Sequence, residues 1–280
     1  MSIELPEAKI LGDQMNKELC GKRITEYELK NCESLQRIGF INKNADVFQQ
    51  LVNRKVESVQ SRGNVIRVKF DSGINLILGP EYGGRVLHFT DEKNVPAKFN
   101  LRLDFSDHSV LVVTLTGMGA IQVFKDGELE QSYVYRRDFS DKTSPADEKQ
   151  FTFDRFSKQL TEKSVNIKQV LVGKDALIVG LSNSAFQDVL FRAKIHPKRK
   201  ASDLSKDEAH ALYNAVKELI ADRNRFGGKL EFSDLYGRQG RYTALMGPSM
   251  KGRTCSACGY TVEALSLGGG QVFFCPKCQK

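Results

Sequence analysis

Cys255-Ser256-Ala257-Cys258 and Cys275-Pro276-Lys277-Cys278 constrain the end of this 280-residue chain more tightly than any other stretch. A C-x-x-C turn places two thiols on one side of a tight knuckle. Two knuckles facing each other across a hairpin complete a tetrahedral four-sulfur shell, which suits Zn²⁺. Such a shell leaves no open coordination position, so one structural ion is expected and no metal-assisted hydrolysis. The intervening sequence fits: residues 260–267 and 271–274 read as two strands, and Gly268-Gly269-Gly270 supplies the turn. The competing reading is a pair of redox disulfides.

Charge narrows the partners. The net charge of +8 favours an anionic polymer over a neutral small molecule. No apolar run approaches a membrane span, and charges at Glu4, Glu7 and Lys9 exclude a signal peptide. Cys20 and Cys32, outside the paired motifs, offer no disulfide framework. A reduced, cytoplasmic protein is expected, associated with the nucleoid if the source is bacterial.

Periodicity divides the chain. Pro6 with Ile10, Leu11, Met15 and Leu19 predicts a first helix ended by Gly21. Strand-like runs follow at 23–29, 55–59, 64–70, 75–78, 85–89, 100–105, 109–114 and 120–124. A polar, proline-containing segment at 135–150 reads as a linker. Beyond it the period lengthens to that of helices, with Ser205–Glu208 as a capping box. The expected fold class is α+β: an N-terminal helix and β-sandwich over 1–134, a helical domain over 151–252, and a metal-binding hairpin over 253–280.

An ordered set of motifs runs along this frame: Glu4-Leu5-Pro6-Glu7, Gly84-Arg85, Ile167-Lys168, Gly180–Asn183, Phe186–Leu190, Ile195–Arg199, and the two terminal C-x-x-C pairs. Together they resemble the formamidopyrimidine-DNA glycosylase / endonuclease VIII family over essentially the whole length. The resemblance implies a β-sandwich, a helix–two-turn–helix domain and a zinc hairpin. It also implies excision of damaged bases from duplex DNA, usually followed by cleavage at the abasic site, by a monomer with no membrane partner. Damaged, abasic or gapped duplexes are the implied ligands. Lys168 and Asn183 match positions that contact the DNA backbone, which suits a cation beside a helix N-terminus; the bland alternatives are a solvated charge and a helix cap. Asp188 stands where the family has glutamate.

At the catalytic end the chain departs from the pattern. Family members begin, once Met1 is lost, with a proline whose secondary amine attacks the sugar and forms a Schiff base. Here the register of Glu4-Leu5-Pro6-Glu7 places Ile3 at that position, and Ser2 extends the chain by one residue. Glu4 falls on the catalytic glutamate. Glu7 is a second candidate carboxylate, although a first-turn glutamate also serves the helix dipole. The family's arginine-glycine-lysine reads Arg62-Gly63-Asn64, so Asn64 replaces a phosphate-holding cation. Tyr82 falls where a methionine wedge is usual, near Arg85, and Met118 offers another wedge. Gly269-Gly270 stands where the hairpin carries an arginine.

Three functions are compatible with these residues. The expected one is a divergent glycosylase that hydrolyses the N-glycosidic bond of a modified base with a Glu4-activated water and has weak or absent lyase activity. The second is a catalytically inactive DNA-binding paralogue. The third is a glycosylase/lyase using the Ser2 amine. A zinc-ribbon RNA-binding protein is disfavoured, because Arg67 and Lys69 lack the aromatic neighbours of the common RNA-binding sheets.

Overall fold

The computed structural model describes residues 3–80, 83–140, 145–172 and 176–280. The chain divides into two units, Met1–Ser140 with Phe226–Arg241, and Asp141–Arg225 with Tyr242–Lys280. The expected helical domain, 151–252, therefore loses residues 226–241 to the first unit.

The first unit opens with helix α1, Leu5–Leu19, in which Pro6 occupies a first-turn position that needs no N–H donor. Leu11, Met15 and Leu19 recur at helical spacing and are buried. Each contributes roughly 1.5–3 kcal/mol by leaving water. Strand β1 (Ile24–Leu29) and the short helix α2 (Glu33–Arg37) follow. Then come β2 (Val56–Arg62), β3 (Val65–Phe70), β4 (Ile74–Gly79), β5 (Arg85–Phe89), β6 (Leu101–Phe105), β7 (Val110–Thr114) and β8 (Ala120–Lys125). They form two four-stranded antiparallel sheets, β1-β6-β7-β5 and β2-β3-β4-β8. Residues of both sheets and of α1 share one apolar core, including Met15, Ile24, Val68, Leu76, Leu103 and Leu111.

Strand β4 is buried along its whole length. Leu76 and Leu78 face the shared core, while Ile77 joins Val65, Leu129 and Val134 on the other face. The cover on that second face includes helix α3, Tyr133–Asp138. This corrects the expected linker at 135–150: its first residues are helical, and Asp138 is fully buried.

The second unit contains α4 (Phe153–Thr161), α5 (Ile167–Val172), α6 (Asn183–Ala193) and α7 (Lys206–Arg225). The capping box forms as read: the Ser205 N–H donates to Glu208 Oε2 at 2.8 Å, and the Glu208 N–H donates to Ser205 Oγ at 3.2 Å. Phe156, Leu160, Phe186, Leu190, Leu212 and Leu219 are buried at helical spacing. Strands β9 (Glu263–Leu267) and β10 (Gly270–Phe274) close the unit as an antiparallel hairpin. Phe273 packs with Phe191, Met246 and Val262 beside Cys255 and Cys275. Among the described residues, no helix is long and apolar enough to cross a membrane.

Candidate functional site

Glu4 is the N-cap of α1, and both it and Glu7 are fully buried. The two complete a capping box, in which the Glu4 N–H donates to Glu7 Oε2 at 3.2 Å. The second oxygen of Glu7 accepts from the Lys229 N–H at 3.2 Å. Glu7 thus ties the head of α1 to a segment more than two hundred residues further on. Lys229 answers with its side chain: Nζ lies 3.1 Å from Glu4 Oε2, and both groups are buried. A charge removed from water must be paired, and this pair meets that demand.

Ile3 is buried, its amide nitrogen is part of the chain, and its carbonyl accepts from Asn64 Nδ2 at 3.4 Å. Asn64 sits in the two-residue turn between β2 and β3, where Gly63 holds φ +59°. A side chain at Gly63 would meet Asp138 Oδ2 at 2.4 Å. Asp138 Oδ2 accepts from the Asn64 N–H at 2.9 Å, and Arg62 Nη1 donates to the carbonyls of Asp138 and Ser140. Arg137 bridges the cluster, donating to Asn64 Oδ1 and to Asp138 Oδ1 at 2.5 Å each. A guanidinium therefore stands against the Asn64 side chain.

Arg85 is exposed at the start of β5, and Met118 is 49% exposed in the loop between β7 and β8. Ser2 and Tyr82, both singled out from the sequence, lie outside the described residues.

In the second unit, Lys168 and Asn183 converge. Lys168 Nζ donates to the Leu267 carbonyl at 2.6 Å, and Asn183 Nδ2 donates to the Gln271 carbonyl at 2.9 Å. Both carbonyls flank the glycine turn of the hairpin. A Cβ on Gly270 would lie 3.8 Å from Asn183 Nδ2 and 3.9 Å from Lys168 Nζ. Burial pushes the Lys168 amine below its ordinary value. The N-cap of α6 is Ser182, not Asn183, so the capping alternative for Asn183 falls away. Asn183 Oδ1 is buried with no hydrogen-bond partner among the described residues.

Asp188 faces inward on α6. Its Oδ2 accepts from the Tyr242 hydroxyl at 2.5 Å, and that hydroxyl accepts from Arg192 Nη2 at 3.0 Å. Burial pushes the Asp188 carboxyl up, against the pull of the Tyr242 hydrogen bond and of Arg192 and Arg223. This is an internal brace rather than a surface contact.

The four cysteines come together as read from their spacing, with all four Sγ atoms within 4.8 Å of one another. Cys255 and Cys278 are 3.9 Å apart, and Cys258 and Cys275 are 3.5 Å apart. Tetrahedral coordination at a zinc–sulfur distance near 2.3 Å requires sulfur separations of about 3.8 Å. The cluster fits one such ion. The Tyr260 N–H leads the effects that draw the Cys258 thiol down to about 7, while the hydrogen bond with Cys258 leads those that push Cys278 up to about 12 and burial leads those that raise Cys275.

Lys229 and Arg137 escaped the sequence reading. Lys229 follows Gly227-Gly228, which hold positive φ just beyond the end of α7, and nothing local marks its lysine as buried. Arg137 lay in what read as a linker.

Two family models match: the formamidopyrimidine-DNA glycosylase N-terminal domain over residues 3–120 and the formamidopyrimidine-DNA glycosylase H2TH domain over residues 143–230. The chain belongs to the formamidopyrimidine-DNA glycosylase family. Similar curated relatives include formamidopyrimidine-DNA glycosylases of Ligilactobacillus salivarius (25% identical, covering 99% of this chain and 98% of the relative) and Rickettsia bellii (26%, 99% of both). A Lactococcus lactis Fpg solved with DNA containing an abasic site shares the fold with a TM-score of 0.84, at 20% identity over 99% of both chains. The Thermus thermophilus MutM (Fpg) protein gives 0.83 at 21% identity, over 99% of this chain and 98% of that one.

Proposed function

We propose that the protein is a DNA-repair glycosylase that hydrolyses the N-glycosidic bond of a modified base and has little or no lyase activity. The observation that carries this reading is the Glu4–Lys229 pair at the head of α1. Ile3, which the register of Glu4-Leu5-Pro6-Glu7 sets against the family's attacking proline, is buried. An amide nitrogen cannot form an imine. A buried carboxylate can accept a proton from water as it attacks C1′, while the base departs with the bonding electrons and takes up a proton. Lysines and arginines of a +8 chain supply the affinity for duplex DNA. Lys168, Asn183, Arg137, Arg85 and Asn64 are the proposed backbone contacts, and Met118 and Tyr82 the proposed wedges.

Zn²⁺ is the proposed occupant of Cys255, Cys258, Cys275 and Cys278. Bound there it supplies no reaction step; it ties the two knuckles so that β9 and β10 present the carbonyls of Leu267 and Gln271 to Lys168 and Asn183.

The test uses duplexes carrying oxidised, alkylated or abasic sites, with base release and strand cleavage scored separately. Release of a modified base without matching cleavage, abolished by Glu4→Gln, is the expected result. Binding without release from any substrate would favour a DNA-binding paralogue. Cleavage through the Ser2 amine would favour the glycosylase/lyase alternative.

A further inference from the structure

Lys229 is built into its place rather than left to find it. Its N–H donates to Glu7 Oε1 at 3.2 Å, and its carbonyl accepts from the Phe232 N–H at 2.9 Å. Gly240 lies so close that a Cβ there would approach the carbonyl oxygens of Gly228 and Lys229 at 2.4 Å. These constraints fix the backbone from three sides, and the side chain runs, buried, to Glu4 Oε2. A surface lysine would need none of this.

A buried amine beside an active-site carboxylate has two possible chemistries. As a nucleophile it must be neutral, which desolvation or a neighbouring cation would favour. Here the neighbour of the amine is the Glu4 carboxylate, 3.1 Å away, which suits a donor held against that carboxylate rather than an attacking amine. A lysine paired with Glu4 at this distance in turn favours the charged form of that carboxylate. We propose that Lys229 is a positioning residue for Glu4: it holds the carboxylate charged and in one orientation, so that Glu4 acts as a base toward water rather than as an acid toward the departing base. This rests on the reading of Glu4 as the catalytic carboxylate.

The test has two arms. In the first, the chain is labelled with ¹³C at glutamate carboxyls, and Glu4→Gln and Glu7→Gln assign the two buried signals. Lys229→Met moves the Glu4 signal toward that of a protonated carboxyl, and Lys229→Arg keeps it in place. An unmoved signal in Lys229→Met overturns the proposal. Should Lys229→Met fail to fold, Lys229→Gln, which keeps a donor without the charge, carries the same expectation.

In the second arm, single-turnover base release falls about tenfold or more in Lys229→Met, without a matching loss of duplex affinity. Lys229→Arg restores it, and Lys229→Met has no further effect in a Glu4→Gln background. A borohydride-trapped adduct on Lys229 overturns the proposal by making the lysine the attacking amine. If the wild type releases no base, the reading of Glu4 falls, while the carboxyl signal still decides whether Lys229 sets its charge.

Discussion

The cysteine hairpin and the head of α1 are both clusters of a few reactive side chains, yet they are assembled differently. The hairpin draws its four thiols from one short stretch, and its outermost pair, Cys255 and Cys278, is 23 residues apart. The head of α1 is complete only when Lys229 returns from 225 residues away to meet Glu4. The first can be rebuilt locally, by an ion and a turn. The second depends on the first unit being folded, because Glu7 must satisfy the Glu4 and Lys229 amides at once. Metal loss and side-chain changes at the helix head should therefore have separable consequences.

The largest expected effect breaks the hairpin alone. A structural zinc site of this type is worth roughly 10 kcal/mol or more in apparent binding energy. Chelation should release the last ~25 residues from amide-exchange protection, while the sandwich strands stay protected. Concerted loss in both regions would show that the two clusters are not independent.

Next is Glu7→Ala. It leaves the buried N–H groups of Glu4 and Lys229 without this acceptor, at a cost of about 2–4 kcal/mol. Urea unfolding followed on the sandwich should register that loss, with the hairpin's metal content unchanged. A neutral result would mean that the clamp does not hold the helix head.

Gly63→Ala tests the turn that reaches Ile3. Its φ of +59° and the 2.4 Å approach of Asp138 make any side chain costly. A loss of about 1–2 kcal/mol is expected, from strain in the turn and displacement of Asp138. A thermal melt checks it.

The smallest effect lies away from both clusters. Burial pushes the Asp107 carboxyl up, but hydrogen bonds from Lys22 and Ser109 outweigh it and hold the group down, at about 2. A carboxyl depressed in the folded state stabilises above its unfolded value of 3.8, and that stability disappears as pH falls toward 2. The pair is partly exposed, so Asp107→Asn should cost no more than about 1 kcal/mol at neutral pH. Its stability should also vary less than that of the wild type between pH 4 and 2, as acid titration followed by circular dichroism would show.

The same contrast between local and distant assembly explains what the sequence revealed. Alternation marked the sandwich strands because each strand declares its own inward face; β4, buried on both sides, still read as a strand from its apolar run. The cysteine cluster was legible because its geometry is set by short-range spacing. Helix α3 was hidden by the polar residues around Arg136 and Arg137, although Asp138 is buried against the turn at Gly63. Lys229 was hidden for the opposite reason: after two glycines it looks like a solvated charge, and only the fold brings it to Glu4.

Borohydride trapping on a duplex with a modified base, run beside a direct assay of base release, tests the account most directly. It predicts free modified base, no covalent protein–DNA adduct, and loss of release in Glu4→Gln with the fold intact. A trapped adduct, whether at Ser2 or at Lys229, would contradict it.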